Sequence, residues 1–250
     1  MEIKAISFNI RCANDIDGNS IEERAPRLAK IISNYDADVI GFQECTPLWI
    51  EYINKYFCTT YEFFNKYRDG KGGLESTPLL WKKNKFNCLK SGYFWLSDTP
   101  EISGGWDSLG CNRICLYTLL QCKKSGEIFA FFNTHLGFGE ENQIKSIKLI
   151  SQYIDKFSTY PTFIVGDFNL IPFSKPYEKM IEKFIDVNEL TIKDRRSTYH
   201  GYEQNNNYNE HIDYCFITSK IEPISFKIID DLVDGKFPSD HYGLYIKLKV

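Results

Sequence analysis

Two hundred and fifty residues, 43% hydrophobic and 25% charged, can bury roughly 70–75% of the unfolded surface, which excludes a disulfide-stapled miniprotein and a wholly disordered chain. Lys+Arg 30 against Asp+Glu 33 leaves a net charge of -3, so this is no general polyanion-coating protein, although a local basic groove is compatible with the balance. Aromatic content is 16% and there are only 4 histidines, which makes the position of each histidine informative.

Met1 leads directly into EIKAISFN without a basic start or an apolar h-region, and no apolar run approaches the ~20 residues that span a bilayer. A cytoplasmic protein with no membrane partner is expected. None of the 8 cysteines forms a CxxC pair, so they read as reduced thiols used as small apolar residues rather than as disulfides or zinc ligands.

Residues 3–8 form a short apolar strand ending at Asn9. Ser20, with Glu23 three residues on, makes a capping box, and Leu28, Ile31, Ile32 and Tyr35 follow at helical spacing. Residues 38–44 read as a buried strand that ends on the carboxylate of Glu44. Thr46-Pro47 predicts an N-cap with proline in the first turn of a helix to about residue 57. From 60 to 135 the pattern changes to successive strands, YEFFNK, TPLLWKK, FNCLKSGYFWL, RICLYTLLQ and EIFAFFNTH, parted by Gly- and Asn-bearing turns. Ile144, Ile147, Leu149, Ile150 and Ile154 predict a helix over 140–157. Strand PTFIVGD, a helix from about Ser174, strand IDYCFIT and terminal strands around ISFKIID and HYGLYIKLK complete the set. Helices mixed with mainly consecutive strands indicate a layered α/β or α+β architecture. With no linker-like shift, repeat or low-complexity tract, residues 1–250 read as a single domain.

Several strands end on residues that chemistry uses: Asn9, Glu44, His135, Asp167 with Asn169, Asp213, and the pair Asp240-His241. Loops at strand ends are where α/β proteins present their sites. Any one of these residues is explained by an ordinary turn or a structural hydrogen bond. Their coincidence suits a hard, oxygen-ligated cation beside two imidazoles.

FNI, GFQE, NTHLG, GDFNLIP, IDY and SDH together resemble, in order, the motif blocks of the endonuclease/exonuclease/phosphatase superfamily, over residues 3–249. YFWLSDTP, GGWDS with NRICLY, and STYHGY resemble a bacterial-type branch of it. The resemblance implies a four-layer, deoxyribonuclease I-like α+β fold, an α/β sandwich of two mainly antiparallel sheets packed face to face with helices outside. It also implies metal-dependent phosphate-ester hydrolysis by in-line attack of an activated water. Glu44 would hold Mg²⁺, or Mn²⁺ in its place, with Asn9 and Asp240 nearby as further ligands. Asp167 would deprotonate the water and Asn169 would fix the phosphate. His135 and His241 would donate to phosphoryl oxygens or protonate the leaving group, His241 paired with Asp213 and His135 with Glu75. Arg113 resembles a phosphate-steadying arginine, the alternative being a surface ion pair.

Two departures stand out: His211 occupies the position before IDY that is usually arginine, and Tyr-Gly follows SDH. His200 in STYHG is either a substrate-side residue or structural. Trp106, Tyr199 and Tyr202 could stack on a sugar or base, local packing being the default. The lysine and arginine pairs are scattered rather than aligned as a track. The expected substrate is therefore a small phosphorylated metabolite, a sugar phosphate or nucleotide, acted on by a monomer. Nucleic acid cleaved by a nuclease or deadenylase is the alternative, and a catalytically silent binding module is the rival from another class.

Overall fold

The computed structural model describes residues 1–203 and 210–250. Its strands are β1 (Glu2–Asn9), β2 (Val39–Gln43), β3 (Tyr61–Phe64), β4 (Leu79–Lys82), β5 (Phe86–Trp95), β6 (Ile114–Cys122), β7 (Ile128–His135), β8 (Thr162–Asp167), β9 (Ile185–Asp186), β10 (Asp213–Ile217), β11 (Glu222–Ile229) and β12 (Gly243–Lys249). The helices are α1 (Ile21–Tyr35), α2 (Pro47–Phe57), α3 (Glu140–Asp155), α4 (Lys175–Ile181) and α5 (Val187–Leu190). The strands form two six-stranded sheets, ordered β11-β12-β1-β2-β4-β3 and β5-β6-β7-β8-β10-β9. Pairing is antiparallel except for one parallel pair in each sheet, β1 with β2 and β7 with β8.

Strand parity sorts the side chains into layers. On β1, Ile3 and Ala5 enter the core between the sheets, while Ile6 and Phe8 pack outward against Leu28, Ile31 and Ile32 of α1 and Trp49 and Ile53 of α2. On β7, Phe129 and Phe131 face inward, and Ala130 and Phe132 face Ile147, Ile150 and Ile154 of α3. Four layers result, and the central strands are apolar on both faces because each face is covered. The capping box forms at Ser20, Thr46 caps α2 with Pro47 behind it, and Ser174 caps α4. The two elements absent from the sequence reading, β9 and α5, have 2 and 4 residues, too few to show a period.

The same parity positions the polar strand ends. Asn9, Gln43, Asn133, His135, Asp167 and Asp213 continue the inward-facing sets of their strands, so all turn into the gap between the sheets. His135 and Asp213 are each registered opposite Asp167. One layer below the gap, Gln43 Nε2 donates to Asn133 Oδ1 across the sheets (2.7 Å), and Asn133 Nδ2 donates to the carbonyls of Phe42, Thr77 and Pro78. Gly41 permits this approach: a Cβ there would lie 2.8 Å from Asn133 Cγ. All eight cysteines are free thiols. Among the described residues, no helix is long and apolar enough to cross a membrane.

Candidate active site

Three residues of the gap sit in left-handed backbone conformations, Arg11 (φ 61), Glu44 (φ 62) and Asn169 (φ 50). Such strain persists only where surrounding bonds impose it. Glu44 Oε2 accepts from the Cys12 N–H (2.8 Å), and Asp167 Oδ1 accepts from the Asn169 N–H (3.0 Å). Asn169 Nδ2 donates to the Leu136 carbonyl (2.9 Å), joining the loops that follow β7 and β8.

Asp167 Oδ2 is where the two sheets meet. It accepts from Asn9 Nδ2 at 2.9 Å and lies 3.5 Å from His135 Nε2 and 3.8 Å from His241 Nε2. The same Asn9 nitrogen donates to Glu44 Oε1 at 3.0 Å. His241 Nδ1 is 2.9 Å from Asp213 Oδ2, so the Asp213–His241 pair expected from IDY and SDH is present as a contact. Asp240 borders the site 3.5 Å from Arg11 Nε, and Arg11 also pairs with Asp15.

Electrostatics divide these groups. Burial would lower His241, but Asp213 above all, with Asp167 and Asp240, outweighs it and raises the imidazole to about 10. His135 goes the other way, held low by burial and by the Arg113 guanidinium. Burial, and then the charge of Asp213, pushes Asp167 up to about 7. Burial also opposes ionisation of Glu44, yet the hydrogen bonds it accepts from Asn9 and Cys12 help keep its carboxyl below the usual range. The site therefore combines a cationic imidazole, a neutral one, and one carboxylate balanced near neutrality beside a fully ionised one.

These groups open into a cleft of about 590 Å³. Arg11, Arg68 and Arg113 line it, together with Glu75, Tyr199 and the half-exposed Phe138 and Ile171, and no lysine does so among the described residues. Neither Arg11 nor Arg68 stood out in the sequence. Arg11, two residues after Asn9, could have been inferred from its motif; Arg68 lies in the irregular loop after β3 and carries no local signal.

Three expectations need correction. Glu75 does not pair with His135: its Oε1 accepts from Arg68 Nη2 at 3.0 Å, a permanent cation on the same loop being the stronger partner for a carboxylate than a neutral imidazole. His200 does not face substrate. It is fully buried between Phe237 and Tyr242, its Nδ1 accepts from the Tyr202 N–H, and burial lowers it to about 4. Trp106 lies outside the cleft and packs on the core between the second sheet and α3, because its strand-edge loop folds back to bond the Leu96 carbonyl. Arg113 does line the cleft, but in a buried pair with Asp107 (2.8 Å) rather than a surface one. His211 takes up a structural position, buried with its Nδ1 3.0 Å from the Arg196 carbonyl.

The donor set suits a hard divalent cation. Two carboxylates, the half-buried Glu44 and the buried Asp167, converge on the single amide nitrogen of Asn9, Asp240 adds a third, and the charged donors are oxygens throughout. Asp167, Asp213 and His241 also bring ligand atoms within 4.8 Å of one another. Asp213 holds the His241 imidazole as a cation, and a protonated imidazole does not ligate, so that trio reads as a hydrogen-bonded relay.

Comparison with known proteins places the geometry in a lineage. The sequence profile of the endonuclease/exonuclease/phosphatase family matches residues 6–241. The chain belongs to this family, whose members are phosphoester hydrolases and nucleases, and it shares the family's deoxyribonuclease I-like fold. Among solved structures, a mannosyl-6-phosphatase of Bacteroides thetaiotaomicron superposes with a TM-score of 0.90 at 25% identity, covering 99% of this chain and 100% of that one. An uncharacterised protein of Acanthamoeba polyphaga mimivirus is 32% identical over 160 residues, 59% of each chain. Mouse tyrosyl-DNA phosphodiesterase 2 is 23% identical over 99% of this chain. The chain spans 59% and 66% of the lengths of these last two proteins.

Proposed function

We propose that the protein hydrolyses the phosphate ester of a small phosphorylated metabolite, a sugar phosphate or a nucleotide, with Mg²⁺ or Mn²⁺ as cofactor. The observation that carries this reading is the convergence of His241, His135 and Asn9 on one oxygen of Asp167. Glu44, Asp240 and Asn9 would hold the cation, which supplies electrostatic stabilisation of phosphoryl charge. Asp167, raised to about 7, suits a general base that orients a water and takes its proton. Asp213 keeps the His241 proton in place, leaving Nε2–H free to donate to a phosphoryl or leaving-group oxygen as charge develops. Neutral His135 offers a ring N–H to the same charge, while Asn169 and Arg113 border the space for the phosphate.

Substrate size is argued from the cations. Arg11, Arg68 and Arg113 are each already paired with a carboxylate, so the cleft holds counter-charge for one phosphate and no unpaired basic row for a polyphosphate. The full-length likeness to a mannosyl-6-phosphatase supports the same direction. The likeness to a tyrosyl-DNA phosphodiesterase keeps a phosphodiester substrate as the second reading.

The test is product release from sugar phosphates, nucleotides, a phosphodiester dye, plasmid DNA and poly(A), each with Mg²⁺, Mn²⁺ or EDTA. Metal-dependent phosphate release from monoesters is expected. Nicking of plasmid at low enzyme without monoester turnover would favour the second reading, and no turnover of any substrate would leave a silent binding module.

A further inference from the structure

Arg24 in α1 is fully buried, yet all its hydrogen bonds among the described residues go to main-chain carbonyls and none to a carboxylate. Nε donates to the Asn19 carbonyl (2.8 Å), Nη1 to those of Ile10 and Pro238 (3.4 Å to the latter), and Nη2 to those of Arg11 (3.1 Å) and Ala13 (2.6 Å). The guanidinium lies over the ring of Trp49, 5.2 Å from its centroid, and Trp49 Nε1 donates to the same Arg11 carbonyl at 2.7 Å. A buried cation with no direct ion pair is costly even with Asp240 and Asp15 in electrostatic range, and burial lowers its pKa. What a guanidinium adds is a planar fork that holds several acceptors at fixed angles.

Those acceptors belong to the loop that follows Asn9 and the loop that leads to Asp240, two of the proposed cation ligands. Arg11, in its left-handed conformation, is gripped at its carbonyl by both Arg24 and Trp49. The N–H groups on either side of that carbonyl's residue face the site: Arg11 N–H donates to Asn9 Oδ1 (3.1 Å) and Cys12 N–H to Glu44 Oε2 (2.8 Å). The Pro238 carbonyl ties in the other loop, where Ser239 Oγ donates to the Asn9 carbonyl (2.7 Å) just before Asp240.

We infer that Arg24, with Trp49 stacked on it, is a positioning residue that holds the strained Arg11 turn so that Asn9, Glu44 and Asp240 present a preformed cation site. The inference rests on the metal-dependent reading above. Supporting shells of this kind typically contribute about 10–100-fold in metal affinity.

Wild type, Arg24→Lys and Trp49→Phe are compared by direct Mn²⁺ binding followed by electron paramagnetic resonance, by kcat and KM at saturating Mn²⁺, and by thermal unfolding. Arg24→Lys keeps the charge but loses the fork, and is expected to weaken Mn²⁺ binding by about 10–100-fold. Saturating Mn²⁺ should restore most of kcat while KM stays put. Trp49→Phe keeps an aromatic face but loses the pyrrole half of the indole with its Nε1–H, and should shift affinity in the same direction by less. A purely structural role would lower the unfolding midpoint without moving Mn²⁺ affinity, and that result, in Arg24→Lys or in Trp49→Phe if the first does not fold, overturns the inference. If wild type itself binds no Mn²⁺, the metal reading fails and this inference with it, an outcome distinct from equal binding by wild type and variants.

Discussion

At the His241 ring, burial and charge pull in opposite directions, and charge wins because Asp213, Asp167 and Asp240 all face one imidazole. Only the Asp213 contact is a close hydrogen bond, at 2.9 Å. Asp213→Asn keeps the shape but removes that charge, and kcat is expected to fall by about 10²–10⁴-fold, the range of a single general acid or base. The circular dichroism spectrum should stay unchanged; an unaltered rate would show that the pair plays no part in turnover. Asp213 and His241 were legible in the sequence because their short motifs follow apolar strands. His200 and Trp106 stayed open for the opposite reason: STYHG and GGWDS look like surface loops, and only packing onto Tyr242 or the α3-side core settles where such a ring goes.

At the scale of elements, strand period carried most of the information. An inward residue on β1 or β7 is apolar along the strand and polar at its end, so the site is the last step of the core pattern. The register that sets β2 against β7 was not readable, because Gln43 and Asn133 are 90 residues apart. Asn133→Ala removes the shortest of the Gln43 amide bonds and the side-chain donor shared by the Phe42, Thr77 and Pro78 carbonyls, and should cost about 1–3 kcal/mol by urea denaturation; an unchanged midpoint would mean the polar bridge is dispensable. The start of α5 makes a separate prediction. Burial raises Asp186 to about 6, although the Tyr177 hydroxyl and the Asn188 N–H donate to it. Its folded pKa lies above the unfolded value of about 3.9, so the folded state binds the extra proton between about pH 4 and pH 6. Stability from this group is therefore fully present below pH 4 and lost as pH rises through 6. Asp186→Asn, which keeps an acceptor, should be more stable than wild type at pH 7 and lose that advantage at pH 4, as read from denaturant midpoints at the two values.

On the scale of the whole molecule, the site exists only where two sheets face each other. Asn9 comes from the first sheet, with Glu44 just past β2 and Asp240 just before β12. His135, Asp167 and Asp213 come from the second. A cation bound there engages the folded state alone. At a free concentration of 100 Kd, Mn²⁺ should stabilise the protein by about 2.7 kcal/mol. EDTA should reverse the gain, and Glu44→Gln should abolish it while the metal-free protein still unfolds cooperatively. A shift that survives in Glu44→Gln would place the cation elsewhere.

From the sequence alone came the layered α+β class, the caps of α1 and α2, nearly every strand, the family, and the set of polar strand ends. These depend on local backbone chemistry and on a period of two, which a chain carries in its residue order. Only the tertiary structure decided that Arg68 claims Glu75, that His200 belongs to the core, and that Arg24 grips the Arg11 turn, because each turns on the path of an irregular loop or on partners distant in sequence. The net charge of -3 shows the same division. It did not reveal a cleft with three arginines, since each of those cations is offset by a carboxylate that folding brings beside it.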